Sequence, residues 1–401
     1  MRGQQISMPV QVESIIDKLI ENGFEAYAVG GCVRDTLLGR EPGDWDITTS
    51  ASPWQVKSIF RRTIDTGIQH GTVTVMIGKN GYEVTTYRID GEYEDGRHPK
   101  KVAFTSELLE DLKRRDFTIN AMAYSHKTGI VDAFGGMEDL KQRRIRCVGD
   151  AMERFSEDAL RILRAIRFSA QLDFFIEEKT YASIMKIAPG IAKVSKERIQ
   201  AELTKLLQSD HPLKIKMVYE TGISRYVSPA FAGLCWQSFQ IPAGLSAEKY
   251  VRWGALLRLA GPQTAIQVLK DLKLDNDTIN RVRVLAEWAD KKLIAQEPSL
   301  RRAMSKMLPE VWDVLIQLNG CGDEVRRLTD EIRKRGDCLD LRHLAVGGQD
   351  LIEAGIRPGK EVGQLLGQLL EQVLECPESN DKKILLELAG RWRESSGCGS
   401  C

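Results

Sequence analysis

Apolar positions follow two regimes along the 401 residues. Up to about residue 150 short strand-like runs are mixed with brief helical stretches, and beyond it nearly every segment repeats with helical period. Residues 11–22 carry apolar side chains at helical spacing, 26–29 read as a short strand, and 33–38 as a helix behind Gly30 and Gly31. A strand is predicted over 44–48, with Trp45 and Ile47 turned to the core. Pro53 suits a first helical position, so a helix is predicted from there to residue 60. Runs at 71–77 and 82–88 flank Lys79-Asn80-Gly81, whose Asn-Gly pair signals a hairpin. Residues 90–105, polar and rich in charge, read as a loop, followed by a helix at 106–115 and strands at 121–125 and 145–148.

The second regime begins with a long amphipathic helix at 156–172 and another at 196–207. Residues 210–330 alternate apolar runs with breaks at Pro229 and Pro242, and helices are predicted at 322–335, 347–355 and 360–375. An α/β head followed by an all-helical remainder is the architecture this pattern implies. Trp236, Trp253, Trp288 and Trp312 read as core residues of that remainder, and His70 as a structural residue at a strand entry.

Composition changes this picture little. A chain 42% hydrophobic and 28% charged can bury a sizeable core. No apolar run approaches the ~18 residues of a membrane span, and the first residues lack a signal core, so a cytoplasmic protein is expected. A net charge of +1 is unusually low for a nucleic-acid enzyme. The charge is uneven, however: residues 141–167 hold eight basic and four acidic side chains. Of the eight cysteines, only Cys398 and Cys401 have CxxC spacing, and they read as free thiols of a tail.

The candidate chemistry starts at Gly43-Asp44-Trp45-Asp46. Side chains at i and i+2 of a strand share a face, and two such carboxylates repel unless a cation sits between them. Mg²⁺ prefers oxygen donors of this kind, and a pair of metal ions can activate an attacking hydroxyl and stabilise a leaving group. The ordinary alternative is a surface turn. Fourteen residues upstream, Gly30-Gly31-Cys32-Val33-Arg34-Asp35 opens a helix, whose N–H groups at Gly31 and whose Arg34 make a cradle for a triphosphate. Glu83, alternating with inward Val84, is the choice for a third carboxylate.

These two motifs are similar to the signature of the polymerase β-like nucleotidyltransferases, specifically the tRNA nucleotidyltransferase and poly(A) polymerase branch. Arg114-Arg115-Asp116-Phe117-Thr118-Ile119-Asn120-Ala121 resembles the second signature of that family. The resemblance implies that Asp116, with Arg115, reads the ribose, whose 2′-OH a carboxylate can accept. Asn120 would brace the loop. The third motif is Glu157-Asp158-Ala159-Leu160-Arg161. On one helix, Asp158 and Arg161 are i,i+3 neighbours, and an intrahelical ion pair is the ordinary reading. Yet C and A each present an amino donor beside a ring-nitrogen acceptor, which an Asp acceptor and an Arg donor match while rejecting U and G. Arg164 and Arg167 continue that row toward phosphate or base. Val131-Asp132-Ala133-Phe134-Gly135-Gly136 resembles the family's hinge, and Ser195-Lys196-Glu197-Arg198-Ile199 its helix-bracing element.

The resemblance is to the bacterial class II CCA-adding enzymes, and it implies an α+β fold. A polymerase β-like nucleotidyltransferase head domain (1–148) would precede an all-α neck (149–210), body (211–330) and tail (331–401). It also implies Mg²⁺ as cofactor, CTP and ATP as substrates, and tRNA gripped by its acceptor end through shape and backbone. Apolar stretches in the C-terminal half allow a homodimer. An enzyme limited to A addition stays open, whereas a C-only enzyme is disfavoured by the full-length loop at 90–104. A poly(A) polymerase usually carries longer basic extensions, and a non-catalytic relative would be expected to lose the Asp pair.

Overall fold

Val12, Ile15, Ile16 and Leu19 recur at helical spacing and are all buried on one side of α1 (Val10–Glu21). The computed structural model describes residues 6–91 and 102–397 of the chain. Most of the loop at 90–104 and the Cys398/Cys401 pair therefore lie outside the described residues. The chain divides into two compact units, Met1–Gln237 with Gln267–Leu274, and Ser238–Ile266 with Asp275–Cys401.

The first unit is built on a sheet. After α1 come β1 (Ala26–Val29), α2 (Gly31–Leu37), β2 (Ile47–Thr49) and α3 (Pro53–Ile59). Ser52 caps α3 in a capping box with Gln55, and Pro53 stands at its start as expected. Then follow β3 (Thr63–Gly67), β4 (Thr72–Ile77), β5 (Asn80–Thr86), β6 (Arg88–Asp90), β7 (Val102–Phe104), α4 (Leu108–Lys113), β8 (Ala123–Ser125) and β9 (Gly129–Val131). Seven strands form one sheet in the order β3-β4-β5-β2-β1-β8-β9, with β2 and β5 parallel and every other neighbouring pair antiparallel. Tyr27, Val29, Tyr87, Leu112 and Ala123 form a core cluster between this sheet and α4.

Two local expectations are corrected here. The β4–β5 turn is made by Gly78 and Lys79, because Gly78 takes the left-handed φ of 62° that a tight turn needs, while Asn80 already pairs with Ile77. The strand predicted over 44–48 begins only at Ile47, so Asp44 and Asp46 lie just ahead of it and Trp45 is half-buried.

Beyond the sheet run α5 (Gly136–Lys141), β10 (Arg144–Ile145), α6 (Ala151–Glu157), α7 (Leu160–Leu172), β11 (Phe175–Ile176), α8 (Glu178–Ile187) and α9 (Lys196–Leu207). The single helix predicted over 156–172 is thus broken: Asp158 has an extended backbone (φ −145°, ψ 102°), and its carboxylate takes the backbone N–H of Leu160 at 3.1 Å at the start of α7. Short helices, among them Lys216–Glu220 and Pro229–Ala232, complete this unit.

The second unit is helical throughout its described residues, with Lys382–Gly397, Asn276–Trp288, Asp323–Arg335 and Lys360–Glu375 as its longest elements. The last two agree closely with their prediction. Trp253 and Trp312 are fully buried in this unit, as expected, but Trp288 is only half-buried, with Lys291 4.2 Å from its ring centre. Trp236, in the first unit, is likewise half-buried and stacks on Tyr219. His70 is exposed on a short turn ahead of β4. Among the described residues no helix is long and apolar enough to cross a membrane.

Candidate active site

Three carboxylates meet at one end of the central strands. Backbone N–H of Val29 in β1 bonds the carbonyl of Asp46 at 3.0 Å, anchoring that residue at the strand entry. The parallel register pairs Ile47 with Val84, which sets Glu83 of β5 beside Asp46. Ile47 and Val84 are buried, whereas Asp44, Asp46 and Glu83 open to solvent. Protein packed around Asp46 raises its pKa, Arg115 opposes the rise and Asp44 adds to it. Glu83 is raised in the same way by partial burial, by Asp46 and by Asp44. Charges left in mutual repulsion suit a shared cation. Among the described residues no group of three His, Cys, Asp or Glu could hold a metal unaided.

Asp46 also lines an open cavity of about 490 Å³ in the first unit. Gly30 and Gly31, Arg34, Arg114 and Arg115, Asp116, Asn120, Asp158, Leu160, Arg161, Arg164, Arg167, Phe168 and Arg198 line the rest. Every candidate at Gly31, Arg34, Arg115, Asp116, Asp158, Arg161, Arg164 and Arg167 is thus gathered around one space, although these residues come from three separate stretches of sequence. Asp44 and Glu83 are the candidates that stand outside the lining, coupled to it through Asp46.

Gly30 precedes α2 with φ 82°, and a Cβ there would approach Arg115 Nη1 to 2.9 Å. The backbone requires glycine here, and any side chain would also push the tip of Arg115 aside. Arg34, one turn into α2, donates Nε and Nη2 to Asp35 at 2.8 Å each and Nη1 to Asn120 at 2.6 Å. Three of the five N–H donors of a guanidinium are so engaged.

Asp116 pairs with Arg164 rather than with its chain neighbour Arg115. Its Oδ2 accepts from Arg164 Nε at 2.7 Å and Nη2 at 2.6 Å, and its Oδ1 accepts from the N–H of Phe117 and the amide of Asn120. Those four donors fill the roughly four acceptor positions of a carboxylate. Burial alone would raise its pKa, but Arg164 and Arg161 outweigh burial and bring it to about 2. Arg115 turns instead to the fully buried Asp111, which also binds Arg114 and Thr48. At 3.6 residues per turn, Arg115, four positions after Asp111 and just past the end of α4, comes back to the same side.

Asp158 and Arg161 are not an intrahelical pair, because the chain breaks between α6 and α7. Arg198 of α9 holds Asp158 through Nη2–Oδ2 at 2.7 Å, while Arg161 bonds Glu157 and the carbonyls of Arg154 and Arg114. Each keeps its charge compensated by a different neighbour, and both side chains line the cavity. Arg167 departs from the expected row: it is buried against Glu202 at 2.6 Å and over Phe168. Burial lowers its pKa while Glu202 opposes that.

Sequence reading did not single out Arg198 or Phe168 as cavity residues, nor Glu202 as the partner that holds Arg167. Arg198 lay in a string already read as helix-bracing, so its i,i+3 position from Ser195 was a signal. Nothing in the local pattern distinguishes Phe168 or Glu202 from ordinary helix residues.

A model of the poly A polymerase head domain matches residues 26–146, a model of the RNA-binding site of polymerase A matches 173–234, and one of tRNA nucleotidyltransferase domain 2 matches 247–389. The chain is 40% identical to a CCA-adding enzyme of Levilactobacillus brevis over 362 residues, 87% of this chain and 89% of that protein. Against a CCA-adding enzyme of Limosilactobacillus fermentum identity is 38% over 394 residues, 96% and 98% of the two chains. The fold superposes on the crystal structure of the Bacillus stearothermophilus CCA-adding enzyme in complex with CTP with a TM-score of 0.80, at 34% identity, covering 97% of this chain and 100% of that one.

Proposed function

We propose that this chain, which belongs to the family of CCA-adding enzymes, extends the 3′ end of tRNA by C, C and A, using CTP and ATP and releasing pyrophosphate without a nucleic-acid template. The observation that carries this reading is that Asp46, Arg34, Asp116, Asp158 and Arg161 share one cavity of about 490 Å³, large enough for a single nucleotide.

In this reading the α-phosphate lies beside Asp44 and Asp46, and the β- and γ-phosphates reach the N–H groups of Gly31 and the two unengaged donors of Arg34. Mg²⁺ held between the carboxylates and the phosphates would lower the charge at the reacting phosphorus and favour the ionised 3′-OH of tRNA. Glu83 adds negative charge to that end of the site. For the sugar, Asp116 exchanges a donor: its bond from Asn120 is the longest of the four at 3.2 Å and is the one a 2′-OH displaces. At the base, Arg198 holds Asp158 through both oxygens, and a single donor at Oδ2 leaves room there for the amino group of C or A. Arg161 donates to the ring nitrogen, and U or G would turn N–H groups toward Arg161 and carbonyls toward Asp158. The helical residues after α7 hold the tRNA by shape and backbone, and the substrate places the protein in the cytoplasm.

The test is nucleotide addition to three tRNA transcripts that end before CCA, after C and after CC, each NTP supplied separately with Mg²⁺. Growth of all three to CCA from CTP and ATP alone is the expected result. Extension of only the CC-ended transcript by one A would make the chain an A-adding enzyme.

A further inference from the structure

Phe168 sits at the centre of a closed circuit of contacts that no local sequence feature announces. Arg34 of α2 lies 4.9 Å from its ring centre, Arg164 5.5 Å and Arg167 3.7 Å. All three distances are within the ~6 Å at which a guanidinium is attracted to an aromatic face. From Arg34 the circuit continues through Asn120 at 2.6 Å, from Asn120 to Asp116 at 3.2 Å, and from Asp116 back to Arg164 at 2.7 Å. Phe168 itself is buried and set edge-on against Phe117, at 81° and 5.8 Å, and Phe117 is the residue directly after Asp116.

Three guanidiniums around one phenyl ring repel each other, and the carboxylates of Asp35, Asp116 and Glu202 compensate them from the outside. The ring compensates them from the inside. An aliphatic side chain of similar volume would fill the space but would lack the negative π face, so the inward hold on the arginines would be lost.

We infer that Phe168 is a positioning residue for ribonucleotide recognition: it holds the triphosphate arginine Arg34 and the Asp116–Arg164 pair in one register, so that sugar choice and triphosphate binding are coupled. This rests on the nucleotide-site reading above. When a 2′-OH displaces the amide of Asn120 from Asp116, the same amide remains tied to Arg34, and the register of both ends decides how readily the exchange occurs. Phe168 makes the exchange depend on the aromatic face.

The experiment compares CTP with 2′-deoxy-CTP, and ATP with CTP, on a tRNA transcript lacking CCA, using the full chain and the variants Phe168→Leu and Phe168→Tyr. In Phe168→Leu the preference for CTP over deoxy-CTP falls about tenfold and KM rises for CTP and ATP alike, the scale of a lost cation–π contact, while kcat changes little. Phe168→Tyr keeps the face and restores the preference. Asn120→Ser cuts the other arc of the circuit and gives the same loss of sugar choice, which keeps the test decisive if the leucine variant folds poorly. Thermal melting accompanies each measurement. A leucine variant that discriminates as well as the parent protein, or one that loses only kcat and thermal stability, overturns the inference. A parent protein that extends tRNA but accepts deoxy-CTP as readily as CTP would overturn the sugar assignment of Asp116 and this inference with it.

Discussion

The two ends of the nucleotide cavity treat negative charge in opposite ways. At the strand end Asp44, Asp46 and Glu83 face solvent, and their mutual repulsion contributes to the raised pKa values of Asp46 and Glu83. At the helical end Asp116 is buried and takes two Arg164 donors on one oxygen, with a pKa of about 2, and Asp158 is clamped by Arg198. Among the described residues the first group has only Arg115 acting on Asp46 against this repulsion. The second is complete within the protein and presents a fixed pattern of donors and acceptors. Under the function proposed above, the fold separates a charge-hungry reactive end from a neutralised reading end, the division of labour expected when a metal does the chemistry and side chains select the base.

The largest expected effect falls at the strand end. Replacing Asp44 or Asp46 by Ala should reduce nucleotide incorporation at least about a thousandfold, since several kcal/mol of transition-state stabilisation depends on the cation. Thermal stability should stay level or rise, because a repelling charge is removed. A large fall in melting temperature would instead place these residues in the structural framework.

At the helical end Arg161→Ala should relax the choice of C and A over U and G by about ten- to a hundredfold, the value of one good bidentate reading contact. KM for the triphosphate should move less. Selectivity that survives the change would refute the protein-template account.

Asp116→Asn tests the contrast through stability. Loss of the charge pair, which leaves Arg164 only the more distant Glu202 at 3.9 Å, should lower the unfolding free energy by about 2 kcal/mol, below the figure for a fully buried pair because a third of the Arg164 side chain remains in solvent. The sign of the pH dependence follows from a folded pKa of about 2, depressed below the ~3.9 of an unfolded Asp. The contribution of Asp116 is fully present above about pH 4 and is lost as pH falls toward 2. Denaturant titrations of parent and variant should therefore differ at neutral pH and converge in strong acid.

The smallest effect is a proton count. Because Asp46 and Glu83 are raised, Mg²⁺ binding in mildly acidic buffer should release protons, detectable by calorimetry in buffers of different ionisation enthalpy. Asp116 should contribute none. Release that is unchanged in Asp46→Ala would separate the cation from this residue.

Much of the molecule was legible before its coordinates. The Ser52-Pro53 helix start, the hairpin of β4 and β5, the helix at 196–207 and the change from mixed to helical periodicity depend on near neighbours in the chain, and so does a motif such as Gly30-Gly31 or Asp44-Trp45-Asp46. What the sequence by itself determined was therefore the succession of elements and the residues able to carry chemistry. Tertiary structure decided who pairs with whom. Asp158 was read as a neighbour of Arg161 on a continuous helix, but the chain opens at 158–159 and Arg198, forty residues on, takes the carboxylate. Asp116 was read with Arg115, yet Arg164 from α7 reaches it while the fully buried Asp111 claims Arg115. Phe168 and Glu202 have no local signature at all. The reason is physical: a buried charge must find its compensation among whatever groups packing brings within about 4 Å. Packing is settled by apolar contacts between distant segments, and no window along the sequence contains them.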